Sequence, residues 1–217
     1  MDAAAQIAND IAALPRRDTA SVRDVRRRWS QALKAASADE VLSIAKAVEA
    51  AAGQTGKWVG YELIRFHPAA FAAVTEADIA DFESRLASWY AVDAFGTILA
   101  GPLWARGWLS DDVVDRWSMS ADRWLRRLAL VATVGLNAGA SGGAGDAART
   151  LGICRRLSSD RDDMVEKAMS WALRFLSQRD RPSVERFMIE MDGKLPARAV
   201  REVRNKLATG LKNPRRA

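Results

Sequence analysis

Helical periodicity is clearest in residues 160–178, which read DRDDMVEKAMSWALRFLSQ. The apolar residues of this stretch recur at the spacing of one face of an α-helix: Met164, Ala168, Trp171, Ala172 and Phe175. Residues 121–138 repeat the apolar stripe, and no β-branched run alternates with polar residues as it would in a half-buried strand. The sequence therefore predicts an all-α protein.

Proline and glycine divide the chain into short helices, roughly twelve at the usual helix length. Pro68 is placed to open a helix at its first position, where the missing N–H costs nothing. Gly101-Pro102 is expected to end the helix that carries Asp93. Thr75 and Asp78 have the spacing of a capping box, which predicts a helix start.

The longest non-helical stretch is GASGGAG, residues 139–145. Gly143-x-Gly145-x-x-Ala148 has the spacing of a dinucleotide fingerprint, but a helix precedes it instead of a strand, so we reject that interpretation. Two interpretations stay open, namely a flexible connection and backbone amides that approach a phosphate.

Tryptophans on apolar helix faces recur at long intervals, at Trp89, Trp124 and Trp171. Intervals of this size are typical of HEAT-type helix-pair repeats of about 40–47 residues. We therefore predict one domain over residues 1–217, a HEAT-like solenoid of stacked antiparallel helix pairs with a basic concave face. A compact helical bundle is the alternative that periodicity alone leaves open.

The charge of the chain is distributed unevenly. The net charge is +6, but residues 1–100 contain 11 basic and 13 acidic residues whereas residues 101–217 contain 22 and 14. A positive second half favours a polyanionic partner such as DNA or RNA. A composition rich in Ala and Arg because of a GC-rich genome is the alternative explanation.

Several kinds of chemistry are excluded by residue counts. His67 is the single histidine and Cys154 the single cysteine, which excludes an HExxH zinc site and a thiolate zinc cage. We expect no cofactor and no metal. No apolar run reaches the roughly 18 residues of a membrane span, and the acidic N-terminus is unlike a signal peptide. We therefore expect a cytoplasmic protein, associated with the nucleoid when it binds DNA.

An acidic residue lies on an otherwise apolar helix face. Trp89 and Asp93 are four residues apart, so both side chains point to one side of the helix. A carboxylate on a buried face needs either a partner or a chemical role. A salt bridge to an arginine on a neighbouring helix is the structural alternative to a catalytic role.

Two later helices carry a similar pairing of an aromatic and a cationic residue. Trp124 and Arg127 are three apart, as are Trp171 and Arg174. Equivalent positions of successive repeats line one face of a solenoid. The three pairs are therefore expected to form one surface.

Such a surface suits cleavage of an N-glycosidic bond. The sugar acquires oxocarbenium character in this reaction, and a nearby carboxylate stabilises that charge. Indole faces attract cations by about 0.5–2 kcal/mol each, and an N3- or N7-alkylated purine is a cation. Arginines can hold the flanking phosphates. Since a cationic base is already a good leaving group, no strong general acid is required.

At these residues the sequence resembles the AlkD-like DNA alkylation repair family of HEAT-like DNA glycosylases. The resemblance rests on three ordered segments: SWYAVD at 88–93, RWLRRLA at 123–129 and KAMSWALR at 167–174. A looser similarity extends from Val22 to Lys212. It implies stacked helix pairs around double-stranded DNA that contains alkylated purines.

The resemblance also implies roles for individual residues. Asp93 matches the catalytic carboxylate, and Trp89 and Trp171 match indoles that flank the deoxyribose of the lesion. Arg127 matches an arginine on the phosphate beside the lesion, and Arg174 a second phosphate contact.

Further basic residues are candidates for DNA contact by their character alone. They are Arg126 beside Arg127, Arg26 and Arg27 near the N-terminus, and Lys206 in the C-terminal helix. An exposed, solvated helix is the equal alternative for the C-terminal segment.

Three functions of the protein are compatible with these sequence features. The first is a monomeric, monofunctional glycosylase that releases 3-methyladenine or 7-methylguanine, without a lyase step because no lysine is evident at the site. The second is a non-catalytic HEAT-like protein that binds damaged or distorted DNA. The third is a protein-interaction solenoid.

Overall fold

The computed structural model describes residues 2–139 and 143–214, and within these ranges every regular element is helical. The chain divides into two compact units, residues 1–86 and 87–217. The single domain expected over residues 1–217 stays a prediction. No helix in the described part of the chain is long and apolar enough to cross a membrane.

The first unit contains six helices among its described residues. They are α1 (Ala3–Ala12), α2 (Thr19–Ala32), α3 (Ala38–Ala51), α4 (Gly53–Arg65), α5 (Pro68–Ala72) and α6 (Glu76–Glu83). Pro68 occupies the first turn of α5 as predicted, and His67 Nδ1 accepts the Ala70 N–H at 3.1 Å. The capping box of Thr75 and Asp78 at the start of α6 is also confirmed.

A buried carboxylate connects α3, α4 and the end of the first unit. The side chain of Glu49 is 0% exposed and forms ion pairs with Lys57 and with Arg85, whose Nε lies 2.7 Å from Glu49 Oε2. Tyr61 donates its hydroxyl to the same carboxylate, at 3.3 Å. Because a buried charge is costly without partners, this cluster ties the three segments together.

The second unit contains the helices that carry the candidate site. They are α7 (Trp89–Phe95), a π-helical turn (Gly96–Ala100), α8 (Gly101–Ala105), α9 (Asp111–Ser118), α10 (Arg123–Asn137), α11 (Ala147–Arg156), α12 (Asp163–Leu176), α13 (Arg181–Glu190) and α14 (Ala197–Thr209).

These helices stack in two layers. One layer contains α10, α12 and α14, each packed on the next, and α7, the π turn and α8 also pack on α10. The other layer contains α9, α11 and α13 in the same order, and neighbouring helices from α9 to α13 join the layers. Contact between each helix and the helix two places along is the pattern of helix-pair repeats. The predicted all-α, solenoid-like fold is thereby confirmed.

One expected helix end is wrong. Gly101-Pro102 does not end the helix of Asp93, because the chain continues from Trp89 to Ala105 through the π-helical turn. The Gly101 N–H donates to the Gly96 carbonyl, five residues back, and Pro102 follows at the start of α8. The extra residue of a π turn rearranges the hydrogen bonding where proline supplies no N–H.

Small residues let this long helix approach α10 closely. A Cβ added to Gly101 would lie 2.5 Å from the Ala132 carbonyl oxygen and 2.8 Å from Gly135 Cα. The two backbones therefore touch, which fixes the position of α7 along α10 and so the position of Asp93 relative to the start of α10.

The glycine-rich stretch after α10 lies partly outside the described residues, which omit 140–142. Within it, the Gly143 amide donates to the Ala138 carbonyl and the Gly145 amide to the Leu136 carbonyl, both at 3.0 Å. These two amides are therefore not available to hold a phosphate.

Candidate active site

The carboxylate of Asp93 and the guanidinium of Arg127 form a two-point ion pair between α7 and α10. Arg127 donates from Nε to Oδ1 at 2.9 Å and from a terminal nitrogen to Oδ2 at 2.8 Å. The Arg127 side chain is 6% exposed, whereas that of Asp93 keeps 20% of its surface. The structural alternative considered from the sequence, an ion pair with an arginine on a neighbouring helix, is therefore present.

A third helix supports this pair. The second terminal nitrogen of Arg127 donates to the Met164 carbonyl in the first turn of α12. On the other side, Ser88 caps α7 by accepting the Ala91 N–H at 3.3 Å, one turn before Asp93. The guanidinium thus joins α7, α10 and α12, and the carboxylate is held in a single orientation.

Burial and the arginine act in opposite directions on the acidity of Asp93. Removal from water raises the pKa of the Asp93 carboxyl above its ordinary value, and the hydrogen bonds and positive charge of Arg127 lower it again without cancelling the effect of burial. The carboxylate therefore takes up a proton more readily than a free aspartate as the pH falls. Arg127 is the group that favours its ionised form.

Aromatic rings lie on two of these three helices, α7 and α12. Trp89 is 54% exposed and one turn from Asp93 on α7, with its ring edge-on to Tyr90 at a centroid distance of 5.9 Å. Trp171 is half-buried on α12 and packs edge-on against Phe175. It lies seven residues after Met164, about 10 Å along the helix.

Arg174 is held through its Nε. Its Nε donates to the Ser170 hydroxyl at 3.1 Å, one turn earlier on α12. Ser170 in turn donates to Glu202 Oε2 on α14 at 2.5 Å. Among the described residues, the terminal nitrogens of Arg174 have no hydrogen-bond or ion-pair partner. Burial lowers the pKa of Arg174, and the charge of Glu202 opposes that effect.

The other basic candidates already donate hydrogen bonds to groups within the protein, to different extents. Arg126 donates to Asp160 at 2.6 Å and to the carbonyls of Ser120 and Ala121, so its guanidinium already has internal partners. Lys206 donates to the Gly210 carbonyl at 2.7 Å near the end of α14.

The two N-terminal candidates belong to the first unit. Arg26 is largely buried, donates to Glu62 at 2.8 Å and stacks 4.3 Å from the centroid of the Phe66 ring. Arg27 is 63% exposed, and its one ion-pair partner within the described residues is exposed Asp24, at 3.0 Å. Arg27 is therefore the better placed of the two for contact with a polyanion.

Sequence reasoning missed two participants. Glu202 lies 32 residues from Ser170, and no local motif connects them. Met164 contributes a backbone carbonyl, which leaves no trace in side-chain patterns. The ion pair of Asp93 with Arg127 was foreseeable as a type, because a carboxylate on an apolar face needs a partner.

The profile of the family described as DNA alkylation repair enzyme matches residues 18–207. The chain belongs to this family. No curated protein and no solved structure matches the chain. Family membership confirms the resemblance drawn from the three tryptophan-containing segments, and it assigns the protein to alkylation repair with DNA as its partner.

Proposed function

We propose that this protein is a monofunctional DNA glycosylase that hydrolyses the N-glycosidic bond of N3- and N7-alkylated purines, such as 3-methyladenine and 7-methylguanine, in duplex DNA. Family membership supports the role in alkylation repair. The observation that carries the finer proposal is the orientation of Asp93, a partly exposed carboxylate held by Arg127 one turn from an exposed indole.

The ion pair is compatible with a catalytic carboxylate. A carboxylate offers about four acceptor positions, and Arg127 occupies two of them. The remaining positions can orient a water, and the charge can stabilise the developing oxocarbenium ion. The bond to the cationic base breaks without protonation by the protein, because the base leaves as a neutral molecule.

Arg127 then acts on the carboxylate more than on DNA. Its buried guanidinium donates to Asp93 and to the Met164 carbonyl. Its assignment to the phosphate beside the lesion stays a prediction. Arg174, with its terminal nitrogens unpaired in the described residues, is the stronger candidate for a phosphate contact.

A lyase step would need an amine that attacks the sugar. Lys167 lies one turn before Trp171, but its side-chain nitrogen is 2.6 Å from Asp163 and forms an ion pair with that carboxylate. We therefore propose hydrolysis by water alone. We also propose that the protein acts as a monomer in the cytoplasm.

The second candidate is a non-catalytic DNA-binding protein of the same fold. The ion pair of Asp93 favours it, since a carboxylate whose partner is inside the protein can be purely structural.

Release of methylated bases distinguishes the two candidates. Duplex DNA treated with a methylating agent is incubated with the protein, and free bases are quantified by mass spectrometry against a protein-free control, since alkylated purines also depart spontaneously. A glycosylase releases 7-methylguanine or 3-methyladenine in proportion to protein and leaves intact abasic strands. Salt-sensitive binding without release would establish the non-catalytic candidate.

A further inference from the structure

The hydrogen bonds that join Arg174, Ser170 and Glu202 all have the same donor-to-acceptor direction. A serine hydroxyl has one proton, and Ser170 gives it to the carboxylate of Glu202 at 2.5 Å. The lone pairs of Ser170 are thereby left for the Nε–H of Arg174, which donates at 3.1 Å. The sequence of donors runs from Arg174 to Ser170 to Glu202, so the carboxylate determines which way the hydroxyl points.

This series of hydrogen bonds is buried at Ser170 and Glu202 and partly exposed at Arg174. Ser170 is 0% exposed and Glu202 is 5% exposed, whereas Arg174 is half-buried. Lys212 and Arg201 also lie 3.4 and 3.9 Å from the carboxylate oxygens of Glu202. A buried carboxylate is costly without partners, and the partners of Glu202 are the Ser170 hydroxyl and these two cations. The terminal nitrogens of Arg174 form a fork for a planar or tetrahedral anion.

We propose that Glu202 is a positioning residue which, through Ser170, orients the guanidinium of Arg174 toward one phosphate of bound duplex DNA. The proposal rests on the proposed function only in that the protein binds duplex DNA. It requires no catalysis. It gives α14, the last helix, a part in DNA binding that depends on an acidic residue.

Neutralising Glu202 should change the affinity for DNA in the direction opposite to the one that net charge alone predicts. Loss of a negative charge normally strengthens binding to DNA, because the net charge becomes more positive. Glu202→Gln should instead weaken it, because an amide can donate to Ser170 as well as accept from it, so the hydroxyl no longer has one fixed direction and Arg174 loses its orientation. Glu185→Gln is the matched control, since Glu185 is 45% exposed on α13 and pairs with Arg181.

The test is the affinity of the full chain for a short fluorescein-labelled duplex, measured by anisotropy over a series of KCl concentrations. We expect Arg174→Ala to lower the affinity about tenfold, as for loss of a charge-assisted hydrogen bond. The slope of log K against log salt should fall by about 0.9, the value for one phosphate contact. Glu202→Gln and Ser170→Ala should each move the affinity and the slope in the same direction, while Glu185→Gln should not weaken binding.

A double-mutant cycle separates positioning from a general structural effect. In the Arg174→Ala background, Glu202→Gln and Ser170→Ala should have no further effect on affinity. An effect of equal size in both backgrounds would overturn the proposal, as would a Glu202→Gln protein that binds as tightly as wild type. Ser170→Ala keeps the test open if Glu202→Gln fails to fold. If the wild type binds no duplex at low salt, the proposed function fails together with this inference.

Discussion

Asp93 and Arg127 lie 34 residues apart and face each other through two hydrogen bonds of 2.9 and 2.8 Å. The pair joins α7 to α10, and the Met164 carbonyl extends it to α12. Two-point pairing fixes the plane of the carboxylate as well as its position. This relationship makes Arg127 part of the machinery that holds Asp93, and it allows the roles of both residues to be tested by pH.

Base release should depend on pH through Asp93. The reaction needs the ionised carboxylate, and the pKa of Asp93 is raised by burial, so the rate should fall as the pH drops through that raised value. Arg127→Gln removes the charge that lowers this pKa, so the fall should begin at higher pH. The measurement is the single-turnover rate of 7-methylguanine release against pH, corrected for spontaneous loss.

Arg126→Gln is the matched control for that experiment. Arg126 is the adjacent arginine on α10, and it pairs with Asp160 instead of Asp93. Its profile should keep the wild-type acid limb. Identical acid limbs for Arg127→Gln and the wild type would show that Arg127 does not control the ionisation of the catalytic group.

Trp89→Ala should reduce catalysis without destabilising the fold. The indole is 54% exposed, so its removal should change the free energy of unfolding by less than about 0.5 kcal/mol. Loss of one cation–π contact of about 0.5–2 kcal/mol corresponds to a roughly 2- to 30-fold lower rate. Trp108→Ala is the control, because Trp108 is 49% exposed but follows α8. Equal rate losses in both variants would contradict a specific role for Trp89.

The contact between α8 and α10 should be sensitive to a single methyl group. Gly101→Ala would place a Cβ 2.5 Å from the Ala132 carbonyl oxygen, so we expect a loss of about 1–3 kcal/mol in the free energy of unfolding. Gly152→Ala in α11 meets no atom within 4 Å and should be neutral or stabilising by up to about 1 kcal/mol. Urea denaturation of both variants measures the difference, and similar stabilities would mean that the backbones are not in contact.

In the first unit, Glu49 should be far more important for stability than surface carboxylates. Glu49→Ala leaves Lys57 without its counter-charge and Arg85 with Asp81 alone, and we expect a cost of about 1–3 kcal/mol. Glu190→Ala breaks an exposed pair with Arg155 and should cost about 0–1 kcal/mol. Thermal unfolding of both variants measures the difference. Comparable losses of stability in Glu49→Ala and Glu190→Ala would argue against a buried cluster.

Much of the fold was predictable because it is encoded locally. The stripe of residues 160–178 became α12, and the first turns at Pro68 and Thr75 formed as their side chains require. The continuation of the helix past Gly101-Pro102 was not predictable, because the π turn depends on packing against α10. Pro102 restricts its own backbone, but packing against α10 determines that the helix continues through it.

The candidate site was predictable to a smaller extent. Spacing placed Trp89 and Asp93 on one face, and the need of a buried carboxylate for a partner suggested an arginine. The sequence could not reveal that Arg127 is that arginine, nor that Ser170 on α12 donates to Glu202 on α14. Such pairings join residues more than 30 positions apart, and only the packing of helices brings them together.

The most direct test of the central claim is single-turnover release of 7-methylguanine by Asp93→Asn, with duplex binding measured in parallel. Asparagine keeps the size of the side chain and one acceptor for Arg127, so the variant should bind DNA as the wild type does. Its release rate should fall about 10²–10³-fold, the usual effect of removing one electrostatic stabiliser of a transition state. Asp112→Asn, at an exposed position on α9, should release base at the wild-type rate. A folded Asp93→Asn protein with wild-type release would contradict the account, because the carboxylate would then be only a structural partner of Arg127.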